Sequence, residues 1–381
     1  MLNLPLSHRD FFCHYFEKKP LLCPAVMNKN AVTLKDVDAI FNTLEPDEQR
    51  LQMFLHGQVP PTQFLGDVFT LGELKKCINK DGFFTLLQQG ATCVLNRAED
   101  TSCIFKRLCA DIGNFAGQTT SSNAYLSFGG KGTFGKHWDT HDVFAVQLFG
   151  KKKWQVFEPS VPLPLSHQTS AKFPLPPQTD PIFECTLTAG DLLYIPRGWW
   201  HDVTPLDTDS LHLSIGTYPP SVRDYLLWIC STQLPASIAA RKACPTQIED
   251  LSLQMALEQL IAFAKEQEKI DAFNESQRAM AQHKTEFQSA IMLKKNALTD
   301  CHLISLNSFL THLQNIHTIS FKDKTLNTNS HGRRLINLLR IHSQLSWGDV
   351  KQYLADIPAE PLYQTTVDLS RFELLNIHTP L

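Results

Sequence analysis

The stretch HWDTHDVFAVQLFGKKKW, residues 137–154, contains the patterns on which the fold prediction depends. An apolar run from Val143 to Phe149 is followed by Gly150 and then by three lysines that lead into WQVF. Short apolar runs bounded by glycine are typical of buried β-strands. The stretch therefore predicts two strands joined by a turn, and the second strand has to place at least one lysine on its inward side.

The alternation of side chains along a strand separates the three lysines. Successive side chains point to opposite faces, so Lys152 shares a face with Trp154 and Val156. Lys151 and Lys153 lie on the other, solvated face. A buried ammonium needs an anionic partner. Two alternatives stay open: Lys152 meets the carboxylate of a bound ligand, or it extends to solvent or pairs with a carboxylate of the protein.

Short apolar or alternating runs continue on both sides of this stretch, from about residue 120 to residue 218. They are bounded by glycine and proline, as is typical of a compact all-β unit. The runs are NAYLSFGG (123–130), HDVFAVQLFG (141–150), KKWQVFEP (152–159), FECTLTAGDLLYIP (183–196) and SLHLSIGTY (210–218). The proline-rich residues 159–181 predict a long connection rather than a strand.

A candidate metal site is divided between two of these segments. His137 and Asp139 are two residues apart, so on a strand both side chains would leave the same face. Later, GDLLYIPRGWWHD predicts a strand over 192–195, a turn, and a second strand that His201 opens. A histidine beside the earlier pair would complete a 2-His-1-carboxylate triad, which suits non-haem Fe(II) and leaves coordination positions open. An ordinary core histidine stays the alternative for His201.

Three residues near these motifs have less specific interpretations. His141 lies two residues beyond Asp139 and is interpreted as a rim or supporting residue rather than a ligand. For His212, both a supporting place beside the site and an ordinary core position stay open. Trp138 is interpreted as a packing residue.

The regions on either side of the β unit show helical rather than alternating sequence patterns. Residues 1 to about 110 mix short helical patterns with loops, and residues after about 220 are largely helical. The segment 251–291 repeats apolar residues at helical spacing; it either packs on its own β unit or forms a homodimer interface. Near the C-terminus, residues 331–357 predict two helices joined by a short turn, with Ser346 as the N-cap of the second. Arg333 and Arg334 are interpreted as a solvated face, so no sequence-specific nucleic-acid binding is expected.

Composition limits the class of protein. The chain has 381 residues, of which 43% are hydrophobic and 19% charged, with a net charge of -3. These values are typical of a folded soluble protein and favour neither nucleic acid nor a membrane as partner. We expect no secretory signal at the N-terminus and no membrane span. The ten cysteines contain no CxxC pair and are expected to be reduced core thiols of a cytoplasmic protein.

Taken together, these residues resemble the JmjC-type, cupin-like 2-oxoglutarate oxygenases, and most closely their ribosomal oxygenase branch. NAYLSF, HWDTHDVFAVQLFGKKKW, GDLLYIPRGWWH and SLHLSIGTY carry the resemblance, with FEKKPLL near the N-terminus as a weaker match. It implies a mainly β double-stranded β-helix (jelly-roll) catalytic core with added helical and winged-helix-like regions. The implied organisation is a catalytic domain over 1–218 with N-terminal helical elements, a helical region over 219–295, and a winged-helix-like domain over 296–381.

The resemblance also implies roles for particular residues. His137, Asp139 and His201 match the catalytic Fe(II) ligands, and Lys152 matches the basic residue that pairs with the distal carboxylate of 2-oxoglutarate. Two further matches, Asn123 and Tyr125, help to hold that co-substrate, and dioxygen is the second co-substrate. The chain departs from the family at Gly216, where characterised eukaryotic members have a serine that contacts 2-oxoglutarate. Ser214, on the same strand face, is the expected replacement.

The function implied by the resemblance is Fe(II)- and 2-oxoglutarate-dependent hydroxylation of a protein side chain, with a ribosomal protein as the favoured substrate and partner. The alternatives are a hydroxylase of a small molecule or biosynthetic peptide, and a side-chain demethylase. A non-enzymatic cupin-like binding module is a third interpretation. The complete triad together with Lys152 argues against that last one.

Overall fold

The computed structural model describes residues 1–129, 134–173, 180–206, 209–247, 251–280, 285, 287–294, 297–307, 315–321, 324–342 and 344–378. The chain forms two compact units, Met1–Tyr218 and Pro219–Leu381. The subdivision expected at residues 295 and 296 falls outside the described residues. The three-part organisation therefore stays a prediction.

The first unit contains the β-strands of the predicted catalytic core. They are β1 (Leu21–Cys23), β2 (Leu51–Phe54), β3 (Leu65–Thr70), β4 (Glu73–Ile78), β5 (Thr92–Asn96), β6 (Thr120–Phe128), β7 (Asp142–Phe149), β8 (Lys151–Phe157), β9 (Phe183–Thr188), β10 (Leu192–Ile195), β11 (Trp200–Pro205) and β12 (Asp209–Thr217). Seven of them form one antiparallel sheet in the order β1-β10-β7-β12-β6-β5-β2. A second sheet has the order β11-β8-β9, and β3 and β4 form a separate hairpin.

Strand β7 is buried along almost its whole length, which explains its uninterrupted apolar sequence. Val143 and Ala145 pack in one core with Trp154 and Val156 of the smaller sheet. The alternate residues, such as Phe144, pack in a second core on the other side. The predicted mainly β, cupin-like core is confirmed.

Four helices cover the outer side of the large sheet and contribute to that second core. They are α1 (His8–His14), α2 (Leu34–Thr43), α3 (Lys80–Gln88) and α4 (Cys103–Ala116). The helices predicted for residues 1–110 are present, but this region also contains strands that were not predicted, of which β2 and β5 extend the large sheet. Both strands are short, at 4 and 5 residues, and strands of that length show little periodicity in sequence.

The second unit is mainly helical. Its helices are α5 (Val222–Thr232), α6 (Leu251–Lys265), α7 (Gln267–Met280), α8 (Ser289–Leu293), α9 (Ser330–His342), α10 (Trp347–Tyr353) and α11 (Ala359–Arg371). Its strands are β13 (Leu303–Leu306), β14 (Thr318–Phe321), β15 (Lys324–Asn327), β16 (Gln344–Ser346) and β17 (Leu375–His378). Strands β16, β13 and β17 form one sheet, and β14 pairs with β15. A core of its own includes Ile304, Leu335, Trp347 and Ile377.

Several predictions for this unit can be compared with the structure. The Ser346 side chain accepts a hydrogen bond from the Asp349 amide at the start of α10, so the predicted N-cap is confirmed. Arg334 is exposed, as predicted, and pairs with the exposed Asp356, while the partly buried Arg333 donates to the Thr328 carbonyl oxygen. The helical prediction over 251–291 is confirmed in α6, α7 and the start of α8, while residues 281–284 and 286 lie outside the described part. The winged-helix-like interpretation and the homodimer interface stay predictions.

The cysteine prediction is only partly right. All ten cysteines are free thiols. Cys23, Cys93 and Cys109 are buried, but Cys103 is exposed, as are Cys13, Cys230, Cys244 and Cys301. The expectation of core positions for all ten is therefore wrong, since composition cannot indicate which face of a helix a cysteine occupies. As for membrane spans, no helix in the described ranges has the length and apolarity that crossing a bilayer requires.

Candidate active site

The segment that carries His137 and Asp139 is not a strand, contrary to the prediction. Both residues precede β7, and a single isolated antiparallel bridge joins His137 to His201 near the start of β11. The His137 amide donates to the His201 carbonyl at 3.1 Å, and the His201 amide donates to the His137 carbonyl at 2.8 Å. This bridge, rather than strand alternation, brings the two parts of the predicted triad together.

The side chains of His137, Asp139 and His201 converge. One ligand atom from each lies within 4.8 Å of the others, and no other such cluster occurs among the described histidines, cysteines and carboxylates. Nδ1 of His137 lies 3.0 Å from the Gly135 carbonyl oxygen, and Nδ1 of His201 lies 3.1 Å from that of Trp199. A carbonyl oxygen can only accept, so each Nδ1 carries the proton. Each Nε2 is left with a free lone pair for a metal.

The electrostatics of the cluster favour metal binding. Burial and the neighbouring His137 hold the pKa of His201 well below its usual 6.5, at about 4, despite the opposing effect of Asp139. For Asp139, burial raises the pKa, but His201, His141 and His137 together more than offset that effect and lower it. At neutral pH the cluster therefore presents a neutral imidazole and an ionised carboxylate, the protonation states that a divalent metal requires. This donor set fits Fe(II).

Lys152 points inward, as alternation predicts, and is only 2% exposed. Its Nζ donates to the Tyr125 carbonyl oxygen at 3.1 Å and lies 3.0 Å from Nδ1 of His212. Both partners are uncharged, and burial lowers the pKa of Lys152 to about 7. Lys153 instead forms an ion pair with Glu184 at 2.9 Å on the outer face. The ammonium of Lys152 is therefore buried against neutral acceptors.

The sequence did not decide whether His212 supports the site or is an ordinary core residue. His212 is 4% exposed, and burial, with the charge of Lys152, holds its pKa well below the usual value. Its ring stacks on Tyr125, with centroids 4.7 Å apart and an interplanar angle of 2°. Since an ammonium only donates, Nδ1 of His212 accepts and Nε2 carries the ring proton. Alternation along SLHLSIG, which puts His212 on the face of Ser214, was the available signal.

One cavity contains the triad and Lys152. It is lined by Thr92, Tyr125, Phe134, His137, Asp139, Val143, Lys152, Trp154, His201, Val203, Pro205, His212 and Ser214. Asn123 does not line it, but its side chain bonds that of Tyr125 and partly offsets the burial that raises the pKa of the Tyr125 hydroxyl to about 12. Of the residues expected to hold a co-substrate, Lys152, Tyr125 and Ser214 face the cavity directly. Asn123 acts on it through Tyr125.

The structure gives a physical reason for glycine at position 216. A Cβ atom there would lie 2.6 Å from Cδ2 of His141, so a larger residue at this position would require the His141 ring to shift. The His141 ring stacks on Tyr218, with centroids 4.9 Å apart. His141 thus fills the space beside the last strand, consistent with a rim position, and Trp138 packs in a small core with Trp200.

Comparison with known proteins agrees with this geometry. The family model described as the JmjC domain matches residues 99–225, the range that carries all three triad residues and Lys152. This segment of the chain is therefore similar to a JmjC domain. The chain is also similar to the bifunctional lysine-specific demethylase and histidyl-hydroxylase NO66 of Drosophila persimilis, at 26% identity over 227 residues, 57% of this chain and 31% of that protein.

A second relative is ribosomal oxygenase 2 of Bos taurus, 28% identical over 266 residues, which are 64% of this chain and 54% of the relative. The chain thus spans about a third to a half of the length of these two relatives. The resemblance to the ribosomal oxygenase branch is confirmed by these matches.

A solved structure has the same fold. YcfD, a ribosomal oxygenase from Escherichia coli, in complex with cobalt and 2-oxoglutarate, has a TM-score of 0.57 and 15% identity, with 99% of this chain and 100% of that chain covered. At this identity the likeness concerns the fold alone.

Proposed function

We propose that this protein is an Fe(II)- and 2-oxoglutarate-dependent dioxygenase that hydroxylates a protein side chain. The observation that carries the proposal is the convergence of His137, Asp139 and His201 within 4.8 Å, in the cavity that also contains Lys152. Fe(II), when bound, supplies the activation of dioxygen and the oxidative decarboxylation of 2-oxoglutarate. The residues of the chain supply ligands, orientation and a partly dry cavity.

Each of these contributions follows from a particular contact. The Nδ1–H groups of His137 and His201 donate to backbone carbonyls and so orient both rings with Nε2 towards the metal. Lys152 supplies the positive charge for the distal carboxylate of 2-oxoglutarate, and Ser214 and Tyr125 line the same cavity. Among the described residues around Lys152, its hydrogen-bond partners are neutral, which leaves its charge available for the ligand.

We propose a ribosomal protein as the substrate. The names of the relatives support this choice, since they include ribosomal oxygenase 2 and a histidyl-hydroxylase. Ribosomal proteins are generally basic, and the net charge of -3 on this chain is compatible with such a partner. The same proposal places the protein in the cytoplasm, and the homodimer remains a prediction for the helical unit.

The first experiment measures the reaction of the co-substrate. The full chain is reconstituted anaerobically with Fe(II), and succinate release from 2-oxoglutarate is measured after oxygen is admitted, with and without ribosomal proteins. We expect release that ribosomal proteins stimulate and that His137→Ala abolishes. If the wild type binds no Fe(II) and is as inactive as His137→Ala, the dioxygenase proposal is wrong.

The second experiment identifies the substrate. Intact masses of ribosomal proteins are compared between cells that contain this protein and cells that lack it. We expect one ribosomal protein to lose the mass of a single oxygen atom when the enzyme is absent. A gain of methyl groups instead would indicate a demethylase, and unchanged masses in an active enzyme would indicate a small-molecule or peptide substrate.

A further inference from the structure

The turn between β10 and β11, residues 196–199, contacts both parts of the candidate metal site. The Gly198 amide donates to the Asp139 carbonyl oxygen at 2.9 Å. The Trp199 carbonyl oxygen accepts from Nδ1 of His201 at 3.1 Å. The positions of Asp139 and His201 therefore depend on the position of this one turn.

Two acidic residues in turn hold Arg197, in the middle of the turn. The Arg197 amide donates to Oδ1 of Asp142 at 2.8 Å, and the Arg197 guanidinium pairs with Glu17 at 2.6 Å. Asp142 is the first residue of β7, only three residues after Asp139, so it connects the segment before that strand to the turn. The carboxylate of Asp142 thus lies at the junction of the two segments that carry the triad.

The burial of Asp142 is energetically unfavourable. Asp142 is 0% exposed, and its Oδ2 has no hydrogen-bond partner among the described residues. Burial raises the pKa of Asp142 to about 6, although the Arg197 amide and guanidinium oppose that effect. A fully buried carboxyl group with one unsatisfied oxygen destabilises the fold, so its presence calls for a contribution other than stability.

We propose that Asp142 is a positioning residue for the metal site, acting through the Arg197 amide to hold the turn that orients Asp139 and His201. The inference rests on the proposed function, since it assumes that the triad binds a divalent metal. Residues that bond metal ligands directly typically change metal affinity by about 10- to 100-fold when they are removed, and Asp142 acts one contact further away, so we expect a loss near the lower end of that range. Asp142 is not part of the cavity lining, so binding of the co-substrate carboxylate should not depend on it.

The test measures Co(II) affinity by absorption titration of the full chain under anaerobic conditions, well below the unfolding temperature. We expect Asp142→Ala to weaken Co(II) binding about tenfold or more and to change the Co(II) absorption spectrum. Asp142→Asn keeps the oxygen that accepts from Arg197, so we expect it to retain affinity within about threefold of the wild type.

Asp191→Ala is the matched control. The Asp191 carboxylate accepts from Ala25 and Thr188 at the opposite end of β10 and contacts no triad residue. We expect it to lower the unfolding temperature without changing Co(II) affinity. Equal losses of affinity in Asp142→Ala and Asp191→Ala would mean a general structural role and would overturn the inference.

The outcomes separate this inference from the proposed function. If the wild type binds no Co(II), the proposed function fails and this inference fails with it. If the wild type and Asp142→Ala bind Co(II) equally, the inference alone fails. Should Asp142→Ala not fold, Asp142→Leu replaces it, because leucine is close to aspartate in size but offers no acceptor to the Arg197 amide. Co(II) affinity at least about tenfold below that of Asp142→Asn supports the inference, and equal affinity overturns it.

Discussion

Lys152 is the residue at which burial and charge conflict most directly. Its ammonium lies 3.0 Å from His212 and 3.1 Å from a carbonyl oxygen, and it is nearly inaccessible to solvent. An isolated buried charge is costly, and a carboxylate in the cavity would relieve that cost. The inward direction of this side chain follows from alternation alone. Its neutral surroundings could not be predicted, because Tyr125 and His212 come from strands elsewhere in the chain.

Replacement of Lys152 tests its role directly. A charge-assisted hydrogen bond contributes about 1.5–3 kcal/mol, so we expect Lys152→Ala to weaken 2-oxoglutarate binding by about 10- to 100-fold. Lys151→Ala, on the exposed face of the same strand, is the control and should change the affinity less than about twofold. Calorimetric titration of the Co(II)-loaded protein measures both. Equal effects of the two substitutions would contradict the assignment of Lys152.

The low pKa of Lys152 predicts that co-substrate binding depends on pH. In the free protein the pKa is about 7, so the side chain becomes neutral as the pH rises above that value. A bound carboxylate favours the ammonium and raises the pKa, so binding takes up a proton. We therefore expect 2-oxoglutarate affinity to fall between pH 7 and pH 9, by up to about tenfold per pH unit.

Lys152→Arg provides the comparison for the pH dependence, because a guanidinium stays charged throughout this range. Its affinity for 2-oxoglutarate, although altered by the longer side chain, should not fall with pH in the same way. Titrations in two buffers of different ionisation enthalpy would report the proton uptake of the wild type. Binding without proton uptake at pH 8 would show that Lys152 is already protonated in the free protein.

At the level of secondary structure elements, the β3–β4 hairpin has an unusual turn. Its two central residues, Leu71 and Gly72, both have positive φ, at 50° and 86°, as a type I′ turn requires. Leu71 is 99% exposed, so no residue in the described part of the first unit packs on it to compensate for its left-handed conformation. Asparagine is the residue that normally occupies this position.

We expect Leu71→Asn to raise the free energy of unfolding by about 0.5–1 kcal/mol, since asparagine adopts the left-handed conformation more readily. Leu74→Asn is the control. Leu74 is also exposed, at 69%, but it lies in a strand directly opposite Phe69, where an apolar cross-strand contact would be lost. Urea unfolding of the full chain measures both variants. A Leu71→Asn variant no more stable than wild type would show that this turn is not strained.

The secondary structure elements also differ in how well the sequence predicts them. Strands β7, β8, β10 and β12 were predictable because their inward residues form clear apolar or alternating runs. The short strands β2 and β5 were not, because pairing with a longer neighbour stabilises them rather than their own pattern. The segment around His137 has one backbone bridge and no strand, so periodicity could not describe it.

For the whole molecule, the two units have separate hydrophobic cores. The cores of the first unit lie on both sides of its large sheet, and the core of the second is built from residues between 291 and 377. Separate cores can unfold separately. All residues of the candidate site belong to the first unit, so a ligand of that site should stabilise only one of two transitions.

Differential scanning calorimetry tests this expectation. We expect two transitions for the full chain, and saturating Co(II) with succinate should raise the temperature of one of them. Ligand at about 100 times its Kd stabilises the unit that binds it by about 2.7 kcal/mol. The His137→Ala variant is the control, and neither of its transitions should shift when the ligands are added. A single transition that shifts as a whole would mean that the two units unfold together.

By itself, the sequence determined the mainly β core, the identity of the candidate triad residues and the inward direction of Lys152. These features depend on the local pattern of apolar residues and on the chemistry of individual side chains, and both can be seen in the sequence without knowledge of tertiary contacts. The tertiary structure alone decided how His137 meets His201, why Gly216 is a glycine and where Asp142 acts. Each of these depends on contacts between residues that are far apart in the sequence, and local periodicity does not predict such contacts.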